Sequence, residues 1–319
     1  MQTLSEPDGR PELLALRALK LGDLLAVVPT LRALRRSRPE HRLILAAPEW
    51  LRPIAALVPG VDGLLPTPGL DDPLPVPPGR IDTAVNLHGR GPESHRLLDA
   101  LEPRHRIGHR APGWAGPDWT DGIHERARWT RLVSAYGMPA DSDEVAIDRP
   151  DRPSPCPGAV VIHVGAGHVS REWPVDRFAA TAAALAPLGR PVVFTGDAAD
   201  RERAEQAAQQ SGQPPSAVLA GVLDLTDFAA LVAAAGLLVS ADTGAAHLAS
   251  AYGTPSVVIF GPAAPEHWGP PPDGPHVTLT DARVRRDGLP ADDPDPALLA
   301  VTSDRVIESG RALLGRGRR

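Results

Sequence analysis

Short apolar runs alternate with segments of helical periodicity throughout the second half of this chain. Alternation of this kind favours a parallel sheet covered by helices, because every parallel strand needs a helical crossover to return to the same edge. We therefore expect a doubly wound α/β fold. The predicted strands are 159–164, 191–195, 218–219, 237–240 and 256–260, and the predicted helices are 175–186, 200–210, 226–235 and 243–252.

The first half alternates in the same way, with less regular spacing. Pro29 lies inside a predicted helix at 24–36 and should kink or shorten it, since proline lacks the N–H that a helix interior needs. Residues 262–300 are rich in proline and aspartate and are predicted to be loop, whereas 304–314 has the apolar spacing of an amphipathic helix. The remaining predicted strands are 12–19, 42–47, 64–65, 81–87 and 104–108, and the remaining predicted helices are 49–57 and 125–136.

Residues 148–158 are the best candidate for a linker between two domains. Four of these eleven residues are prolines, which cannot continue a helix or a central strand. A chain of 319 residues also suits two domains of ordinary size. We predict an N-terminal domain over 1–150, a C-terminal domain over 158–300, and a C-terminal helix within 301–319.

Composition excludes several classes of function. The net charge is −6 at pH 7, so bulk electrostatics give no support for nucleic-acid binding. Cys156 is the only cysteine, which excludes an internal disulfide and a thiolate-rich metal site. No apolar run is long enough to span a bilayer, and the polar, acidic start is not a signal peptide. We expect a soluble, cytoplasmic monomer that makes at most peripheral contact with a membrane.

The stretch 239–247, Val-Ser-Ala-Asp-Thr-Gly-Ala-Ala-His, is the most informative local pattern. The apolar run Gly-Leu-Leu-Val at 236–239 predicts a buried strand, and Asp242 stands where the N-cap of the next helix is expected. Thr243 and Gly244 would open that helix, and His247 follows about one turn later. A helix N-terminus presents free N–H groups and the positive end of a dipole, so this stretch predicts a phosphate-binding site.

Three other strand ends carry residues that suit a nucleotide site. In a parallel sheet, ligands bind at the carboxyl ends of the strands, and these ends share one edge. Taken singly, each glycine is compatible with ordinary turn formation, and a dinucleotide fingerprint fails because Ser170 stands at its third glycine position. A nicotinamide-dependent dehydrogenase is therefore disfavoured. The candidate residues are Gly165, Ala166, Gly167, Gly196 and Asp200, with the segment 221–227 as a further strand end.

Arg171 and Trp173 directly precede the predicted helix at 175–186. A guanidinium at this place could clamp phosphate oxygens in a bidentate manner, or it could be an ordinary surface charge. Trp173 is expected to pack in the core rather than to stack on a base. His247 has a similar pair of interpretations, as a phosphate ligand or as the partner of a buried polar group.

The first half offers three candidate residues, all next to predicted strand ends. Asp23 follows Gly22 and could be a helix N-cap, or it could act as a general base. His88 and Arg90 lie in a glycine-containing turn after the strand at 81–87. They could contact a polar or anionic acceptor, or simply form the turn.

Taken together and in this order, these segments resemble glycosyltransferase family 9, the heptosyltransferases, over about residues 12–270. Two positions depart from the family pattern: Arg171 stands where lysine is usual, and Asp200, paired with Gly196, stands where glutamate is usual. The matching segments are Leu-Gly-Asp-Leu-Leu-Ala-Val-Val-Pro-Thr-Leu-Arg-Ala-Leu-Arg at 21–35, His-Val-Gly-Ala-Gly-His-Val-Ser-Arg-Glu-Trp-Pro at 163–174, Asp-Thr-Gly-Ala-Ala-His at 242–247 and Phe-Gly-Pro at 260–262.

The resemblance implies a GT-B fold, in which two Rossmann-like domains have parallel sheets that face each other across a cleft. The C-terminal domain would bind the nucleotide sugar, with ADP-heptose as the expected donor. The N-terminal domain would bind the acceptor, which is a glycan, a glycolipid or a small molecule. The C-terminal helix would pack back on the N-terminal domain. The resemblance implies no cofactor and no metal ion.

The activity that the resemblance implies is an inverting, metal-independent glycosyl transfer. Asp23 would deprotonate the acceptor hydroxyl, and Arg171 would stabilise the departing diphosphate together with the residues at 242–247. His88 and Arg90 are the candidates for contact with the acceptor. Two alternatives stay open: the same fold acting on a UDP- or GDP-linked sugar, and a nucleotide-sugar-binding protein without transferase activity.

Overall fold

The computed structural model describes residues 7–286 and 292–316, and the chain divides into two compact units, Met1–Asp148 and Arg149–Arg319. Each unit contains one five-stranded sheet in which neighbouring strands are parallel, so the predicted α/β class is confirmed. Within the described residues, no helix combines the length and the apolar character needed to cross a membrane.

The sheet of the first unit places its most buried strand at the centre. The strands are β1 (Glu12–Leu16), β2 (Arg42–Ala47), β3 (Gly63–Pro66), β4 (Ile81–Asn86) and β5 (His105–Ile107), in the order β3-β2-β1-β4-β5. All residues of β1 are buried, as expected for a strand covered on both faces. Leu16 pairs with Asn86, so the carboxyl ends of β1 and β4 align. The helices are α1 (Leu21–Ala26), α2 (Val28–Ser37), α3 (Arg52–Ala55), α4 (Glu93–Asp99) and α5 (Glu125–Ala135).

The first predicted helix is interrupted, which is the effect expected of Pro29. The structure has α1 and α2 in place of one helix at 24–36, and Val27 lies between them. Pro29 occupies the first turn of α2, where its missing N–H costs no hydrogen bond. The helical residues also begin earlier than predicted, at Leu21, so Asp23 lies inside the first turn of α1.

The sheet of the second unit aligns the strand ends that carry the candidate residues. The strands are β6 (Val160–His163), β7 (Val192–Thr195), β8 (Leu237–Ala241), β9 (Ser256–Ile259) and β10 (His276–Leu279), in the order β10-β9-β8-β6-β7. His163 pairs with both Thr195 and Ser240, so β6, β7 and β8 end at one edge, as predicted. The helices are α6 (Val175–Leu185), α7 (Arg201–Gln210), α8 (Leu225–Ala233), α9 (Gly244–Tyr252), α10 (Pro265–Trp268), α11 (Pro296–Leu299) and α12 (Ser303–Arg316).

Two predictions for the second unit are wrong. Residues 262–300 are not all loop, because they contain β10 and the short helices α10 and α11. β10 is an edge strand whose first three residues are not fully buried, so it lacks the continuous apolar run that marks the inner strands. The predicted strand at 218–219 is reduced to a single bridge between Phe194 and Val218.

The last helix, α12, packs on the second unit through an apolar face. Val306, Leu313 and Leu314 are buried in the same hydrophobic core as β8 and β9. Gly310 lies so close to the sheet that a Cβ there would stand 3.1 Å from Cδ2 of Leu237. The amphipathic helix predicted near the C-terminus is thus confirmed, whereas its packing on the first domain stays a prediction.

Candidate functional site

In the second unit, helix α9 starts almost directly after β8 with an open N-terminus. Its N-cap is Thr243, so the N-cap predicted at Asp242 is wrong by one residue. Asp242 instead extends the sheet edge, because its N–H donates to the carbonyl oxygen of Ile259 at 3.0 Å. In the described part of the chain, the Thr243 side chain makes no capping hydrogen bond, and the N–H groups of Gly244 and Ala245 have no acceptor within the helix. The next two N–H groups, of Ala246 and His247, donate to the carbonyl oxygen of Thr243 at 3.1 and 3.4 Å. Such a helix start can bind phosphate.

Asp242 brings two basic side chains to this helix start. Nη1 of Arg171 donates to the carbonyl oxygen of Asp242 at 3.2 Å and lies 3.8 Å from the carboxylate Oδ2. Nε2 of His247 lies 3.8 Å from Oδ1 of the same carboxylate. Asp242 is buried, but the Arg171 side chain is 40% exposed, so its guanidinium stays accessible to a ligand. The structure therefore brings three predicted site residues together at one helix N-terminus.

The His247 ring is held between an acidic and an aromatic neighbour. Besides Asp242, it meets Trp268 of α10, with 6.0 Å between the ring centroids and nearly perpendicular planes. His247 is thus the partner of a buried carboxylate, one of its two predicted roles. Its place in the first turn of α9 is also compatible with the other role, contact with a phosphate.

Asp200 occupies the space that two glycines leave at the ends of β6 and β7. A Cβ on Gly165 would lie 2.6 Å from Oδ2 of Asp200, and a Cβ on Gly196 would lie 2.5 Å from its Cβ. Oδ2 also accepts the backbone N–H of Asp197 at 2.9 Å. The space beside these two glycines was expected to receive a ligand. In the structure, a carboxyl group of the protein itself lies there.

The environment of Asp200 disfavours its ionised form. Burial raises the pKa of the Asp200 carboxyl; the N–H of Asp197 opposes this increase, and repulsion from the Asp197 carboxylate adds to it. A carboxyl group at this edge can accept a hydrogen bond from a hydroxyl and, when protonated, donate one. In the loop after β6, Ala166 is buried, and Gly167 has a φ of +67°, which lies in the left-handed region that favours glycine.

His163 ends β6 within the same edge, although its pattern in the sequence did not single it out as a site residue. Its Nδ1 shares a hydrogen bond with Oγ1 of Thr195 at 3.0 Å, and its ring lies 5.4 Å from that of Phe228. Burial lowers the pKa of His163 to about 4, so the imidazole is neutral near pH 7. A neutral ring with these contacts supports the sheet edge and offers no charge to an anion.

Trp173 is part of the core, which confirms the packing interpretation. It is fully buried, its ring meets that of Phe178 edge-on at 4.9 Å, and its indole N–H donates to the carbonyl oxygen of Val301 at 3.0 Å. The carbonyl oxygen of Ser170 accepts the N–H of Asp295 at 3.0 Å. The segment that carries Arg171 is therefore anchored on both sides.

In the first unit, Asp23 is the third residue of α1, whose N-cap is Lys20. Its Oδ2 accepts the backbone N–H of Lys20 at 3.2 Å, and its Oδ1 accepts a hydrogen bond from Nη2 of Arg17 at 3.1 Å. The N-cap interpretation of Asp23 is thus wrong, although the carboxylate does satisfy an N–H group at the helix start. The side chain is 24% exposed, so a hydroxyl of a ligand can reach it.

Two residues around Asp23, Arg17 and Glu125, were missed in the sequence. Arg17 is 1% exposed, and it donates to the carbonyl oxygen of Leu87 at 2.7 Å and to Oε1 of Glu125 at 2.9 Å. Burial alone would raise the pKa of Glu125, but the Arg17 charge and hydrogen bonds from Trp129 and two arginines lower it. One feature of the sequence could have indicated this pair. An arginine directly after an apolar strand needs a group of opposite charge nearby, because burial of an unpaired ion is costly.

His88 follows β4 and lies within electrostatic range of Asp23. Burial lowers the pKa of His88, the Arg17 charge lowers it further, and the Asp23 charge opposes both. The backbone N–H of His88 donates to Oδ1 of Asn86 at 3.1 Å. Arg90, two residues further on, is exposed to solvent. The structure thus brings His88 towards Asp23 and leaves Arg90 at the surface.

Each unit offers one kind of chemistry. The first presents a partly exposed carboxylate beside a buried cation, which suits the acceptance of a proton. The second presents a guanidinium and the N–H groups of a helix start, which suit the stabilisation of a phosphate anion. Throughout residues 7–286 and 292–316, no group of three or more His, Cys, Asp or Glu side chains is arranged to hold a metal ion.

Comparison with known sequences finds a match to one family model and relatives that align over most of the chain. The model of glycosyltransferase family 9 (heptosyltransferase) matches residues 133–282. The lipopolysaccharide heptosyltransferase 2 of Escherichia coli K12 is 25% identical over 345 residues, and this alignment covers 92% of the present chain and 96% of that protein. The similarity thus extends through both units.

Two solved structures share the fold. A glycosyltransferase of family 9 from Veillonella parvula matches with a TM-score of 0.78 at 19% identity, covering 97% of this chain and 98% of that one. The ADP-heptose lipopolysaccharide heptosyltransferase II of E. coli matches with a TM-score of 0.76 at 20% identity. This match covers 97% of the present chain and 100% of the E. coli chain. At these identities the likeness concerns the fold, and it confirms the predicted GT-B class.

Proposed function

Because this chain belongs to glycosyltransferase family 9 and is an enzyme of the heptosyltransferase type, we propose that it moves a heptose from ADP-heptose to a hydroxyl group of a sugar acceptor. The observation that carries the proposal is the cluster of Arg171, Asp242 and His247 at the N-terminus of α9. Relatives named for ADP-heptose and for lipopolysaccharide support this donor and an acceptor in the lipopolysaccharide core.

The cluster suits the leaving group of the reaction, a nucleoside diphosphate. As the bond between the anomeric carbon and the phosphate oxygen breaks, negative charge builds on the diphosphate. The Arg171 guanidinium and the N–H groups of Thr243 and Gly244 would receive that charge, and His247 would add a hydrogen bond. Asp242 would keep both basic side chains in place.

The edge formed by β6 and β7 suits the nucleoside of the donor. Asp200 would accept a hydrogen bond from a ribose hydroxyl, since its carboxyl group is fixed by an N–H group and by two glycines. Gly165, Ala166 and Gly167, with Gly196 on the next strand, would lie against the ribose and the diphosphate. The small residues would let the nucleotide approach the main chain closely.

Asp23 would act as the general base in a single inverting displacement. It would take the proton of the acceptor hydroxyl while the hydroxyl oxygen attacks the anomeric carbon on the face opposite the diphosphate. The partly exposed carboxylate of Asp23 supports this role. His88 and Arg90 would contact the acceptor, which makes 1–150 the acceptor-binding domain and 158–300 the nucleotide-sugar-binding domain.

The proposed reaction uses no metal ion and no cofactor. The guanidinium of Arg171 and the helix N-terminus would supply the positive charge that a divalent cation could otherwise supply to the leaving group. We also propose that the protein acts as a monomer in the cytoplasm. A nucleotide sugar would be the donor there.

The test is sugar transfer by the purified protein. We expect release of ADP from ADP-heptose in the presence of a heptose-deficient lipopolysaccharide core, an unchanged rate in EDTA, and a product whose anomeric configuration, read by NMR, is inverted. Faster turnover of a UDP- or GDP-linked sugar would assign another donor. Tight ADP binding without turnover on any acceptor would favour a binding protein, and a rate restored only by added Mg²⁺ would contradict the leaving-group assignment.

A further inference from the structure

We propose that Arg17 is a positioning residue for Asp23 and that Glu125 holds Arg17 in place, so that the three side chains act as one carboxylate–guanidinium–carboxylate unit. The inference rests on the proposed function, which assigns Asp23 as the general base. It adds a cation and a second carboxylate that act on the reaction through Asp23.

All three nitrogens of the Arg17 guanidinium are engaged. Nε donates to the carbonyl oxygen of Asp23 at 3.1 Å, and Nη1 donates to that of Leu87 at 2.7 Å. Nη2 donates to Oδ1 of Asp23 at 3.1 Å and to Oε1 of Glu125 at 2.9 Å. Arg17 therefore binds both the main chain and the carboxylate of Asp23, which fixes that carboxylate relative to its own backbone. A lysine ammonium could not reproduce this planar fork.

Glu125 is the more enclosed of the two carboxylates. Its side chain is 14% exposed, against 24% for Asp23. Its Oε1 also accepts the indole N–H of Trp129 at 2.8 Å, and its Oε2 accepts from Nε of Arg128 at 3.1 Å. The Arg17 guanidinium lies over the Trp129 ring, with its Cζ 5.1 Å from the ring centroid. Glu125 is thus bound by groups of the protein, whereas Asp23 keeps an exposed edge for a substrate.

The second carboxylate also keeps Arg17 paired while the base takes up a proton. In the proposed reaction, the acceptor hydroxyl gives its proton to Asp23, and its oxygen forms the new bond to the anomeric carbon. ADP leaves with the electron pair of the broken bond. Asp23 is then neutral, and a buried cation without a partner is strongly unfavourable. Arg17 avoids that state because Glu125 remains ionised beside it.

A purely structural role for Arg17 would have a different signature. The charged and titratable groups around Asp23 in this unit are Arg17 and Lys20 after β1, His88 after β4, and Glu125 on α5, which acts through Arg17. Removal of the cation and removal of the second carboxylate change the electrostatic potential at Asp23 in opposite directions. A general loss of stability cannot produce opposite effects.

The test compares Arg17→Gln with Glu125→Gln in the full-length enzyme, with kcat and kcat/KM measured against pH. Arg17→Gln should lower kcat on the order of 10- to 100-fold with little change in KM for the nucleotide sugar, because a misplacement of about 1 Å costs that much. It should also move the acid limb of the kcat/KM profile to higher pH, since a base without its cation holds a proton more tightly. Glu125→Gln should move that limb to lower pH.

Arg126→Gln is the matched control. Arg126 lies next to Glu125 on α5, is also buried, and donates to the carbonyl oxygen of Ser142 at 2.9 Å. Its substitution should lower the melting temperature without moving the pH profile. Shifts in the same direction for Arg17→Gln and Glu125→Gln, or a comparable shift in the control, would overturn the proposal.

A further variant, Asp23→Asn, separates this inference from the proposed function. Wild-type turnover by Asp23→Asn would refute the base assignment itself. Loss of turnover in Asp23→Asn, with unmoved profiles in both Arg17→Gln and Glu125→Gln, would refute only the positioning role. If Arg17→Gln fails to fold, the direction of the Glu125→Gln shift decides, because a shift to higher pH or none contradicts the proposal.

Discussion

Nη1 of Arg171 donates a hydrogen bond to the main-chain carbonyl oxygen of Asp242, 3.2 Å away, across 71 positions of sequence. This bond holds a cation from one loop against the start of α9. The segment around Arg171 is anchored by other bonds as well, including that of Ser170 to Asp295. Removal of the guanidinium should therefore change the affinity for an anion more than it changes the stability of the fold.

Arg171→Ala should weaken ADP binding about 10- to 100-fold, because a charge-assisted hydrogen bond contributes about 1.5–3 kcal/mol. Titration calorimetry measures the dissociation constant directly. Arg171→Lys should recover part of the affinity, since it keeps the charge and loses the fork. Arg283→Ala is the control, because Arg283 is highly exposed and pairs with Asp281 at the surface. An unchanged dissociation constant in Arg171→Ala would count against a phosphate clamp.

Asp23→Asn should lower kcat on the order of 100- to 10,000-fold, which is the range for loss of a general base. The dissociation constant of ADP should stay the same, because the nucleotide site is assigned to the second unit. Steady-state transfer assays and calorimetry give the two values. Asp118→Asn is the matched substitution, since Asp118 is an exposed partner of Arg110, and it should be silent in both. Equal losses in the two variants would contradict the assignment of Asp23.

Gly165→Ala should destabilise the protein by about 1–3 kcal/mol, because the added methyl group overlaps Oδ2 of Asp200. Urea unfolding measures the loss. The double variant with Asp200→Ala should regain part of it, since Oδ2 and Cγ of Asp200 are then absent while Nε2 of His163, 3.0 Å from the added Cβ, remains. A Cβ on Gly315 in α12 would meet nothing within 4 Å among the described residues, so Gly315→Ala should be neutral or slightly stabilising. A double variant as unstable as Gly165→Ala alone would show that Asp200 is not the obstacle.

The stability of the first unit should decrease between pH 6.5 and pH 4 because of His109. Burial between Trp119 and Trp129 lowers the pKa of His109 from 6.5 to about 4, and the charge of Arg128 adds to the decrease. Within that window the unfolded chain binds more protons than the folded chain, so stability rises with pH, by at most about 1.4 kcal/mol per pH unit from this group. Above pH 6.5 and below pH 4 this contribution is flat.

Urea unfolding at pH 7, 6 and 5 checks this dependence. His109→Gln should flatten the slope relative to the wild type, because the group with the lowered pKa is gone. Parallel slopes in the wild type and His109→Gln would mean that the ring titrates equally in the folded and unfolded chains.

The inner strands of the second unit were predictable because both faces of each are buried. Val160–His163 and Leu237–Ala241 each begin with three apolar residues in a row, which is typical of a strand buried on both faces. His276–Leu279 lies at the edge of the sheet, so burial places weaker demands on its residues. A strand of this kind depends on its pairing with β9, which no local pattern reveals.

The candidate site likewise has one part that a local sequence pattern predicts and another part that only the fold assembles. Asp242, Thr243 and His247 are neighbours in sequence, so a single motif predicts their association. Arg17 and Glu125 meet across 108 positions, and Glu125 opens an ordinary amphipathic helix. Only the folded sheet brings the two together, because it places the start of α5 beside the carboxyl end of β1.

The indole N–H of Trp173 donates to the carbonyl oxygen of Val301, two residues before α12 begins. Arg171 lies two residues before Trp173, so the cation of the second unit and the last helix share one anchor. Coupling through such an anchor would be reciprocal: order that a bound nucleotide imposed on this segment would reach the helix, and a well-docked helix would favour the nucleotide by the same factor. Amide hydrogen exchange in α12 would then report, from the end of the chain, whether the proposed nucleotide site is occupied.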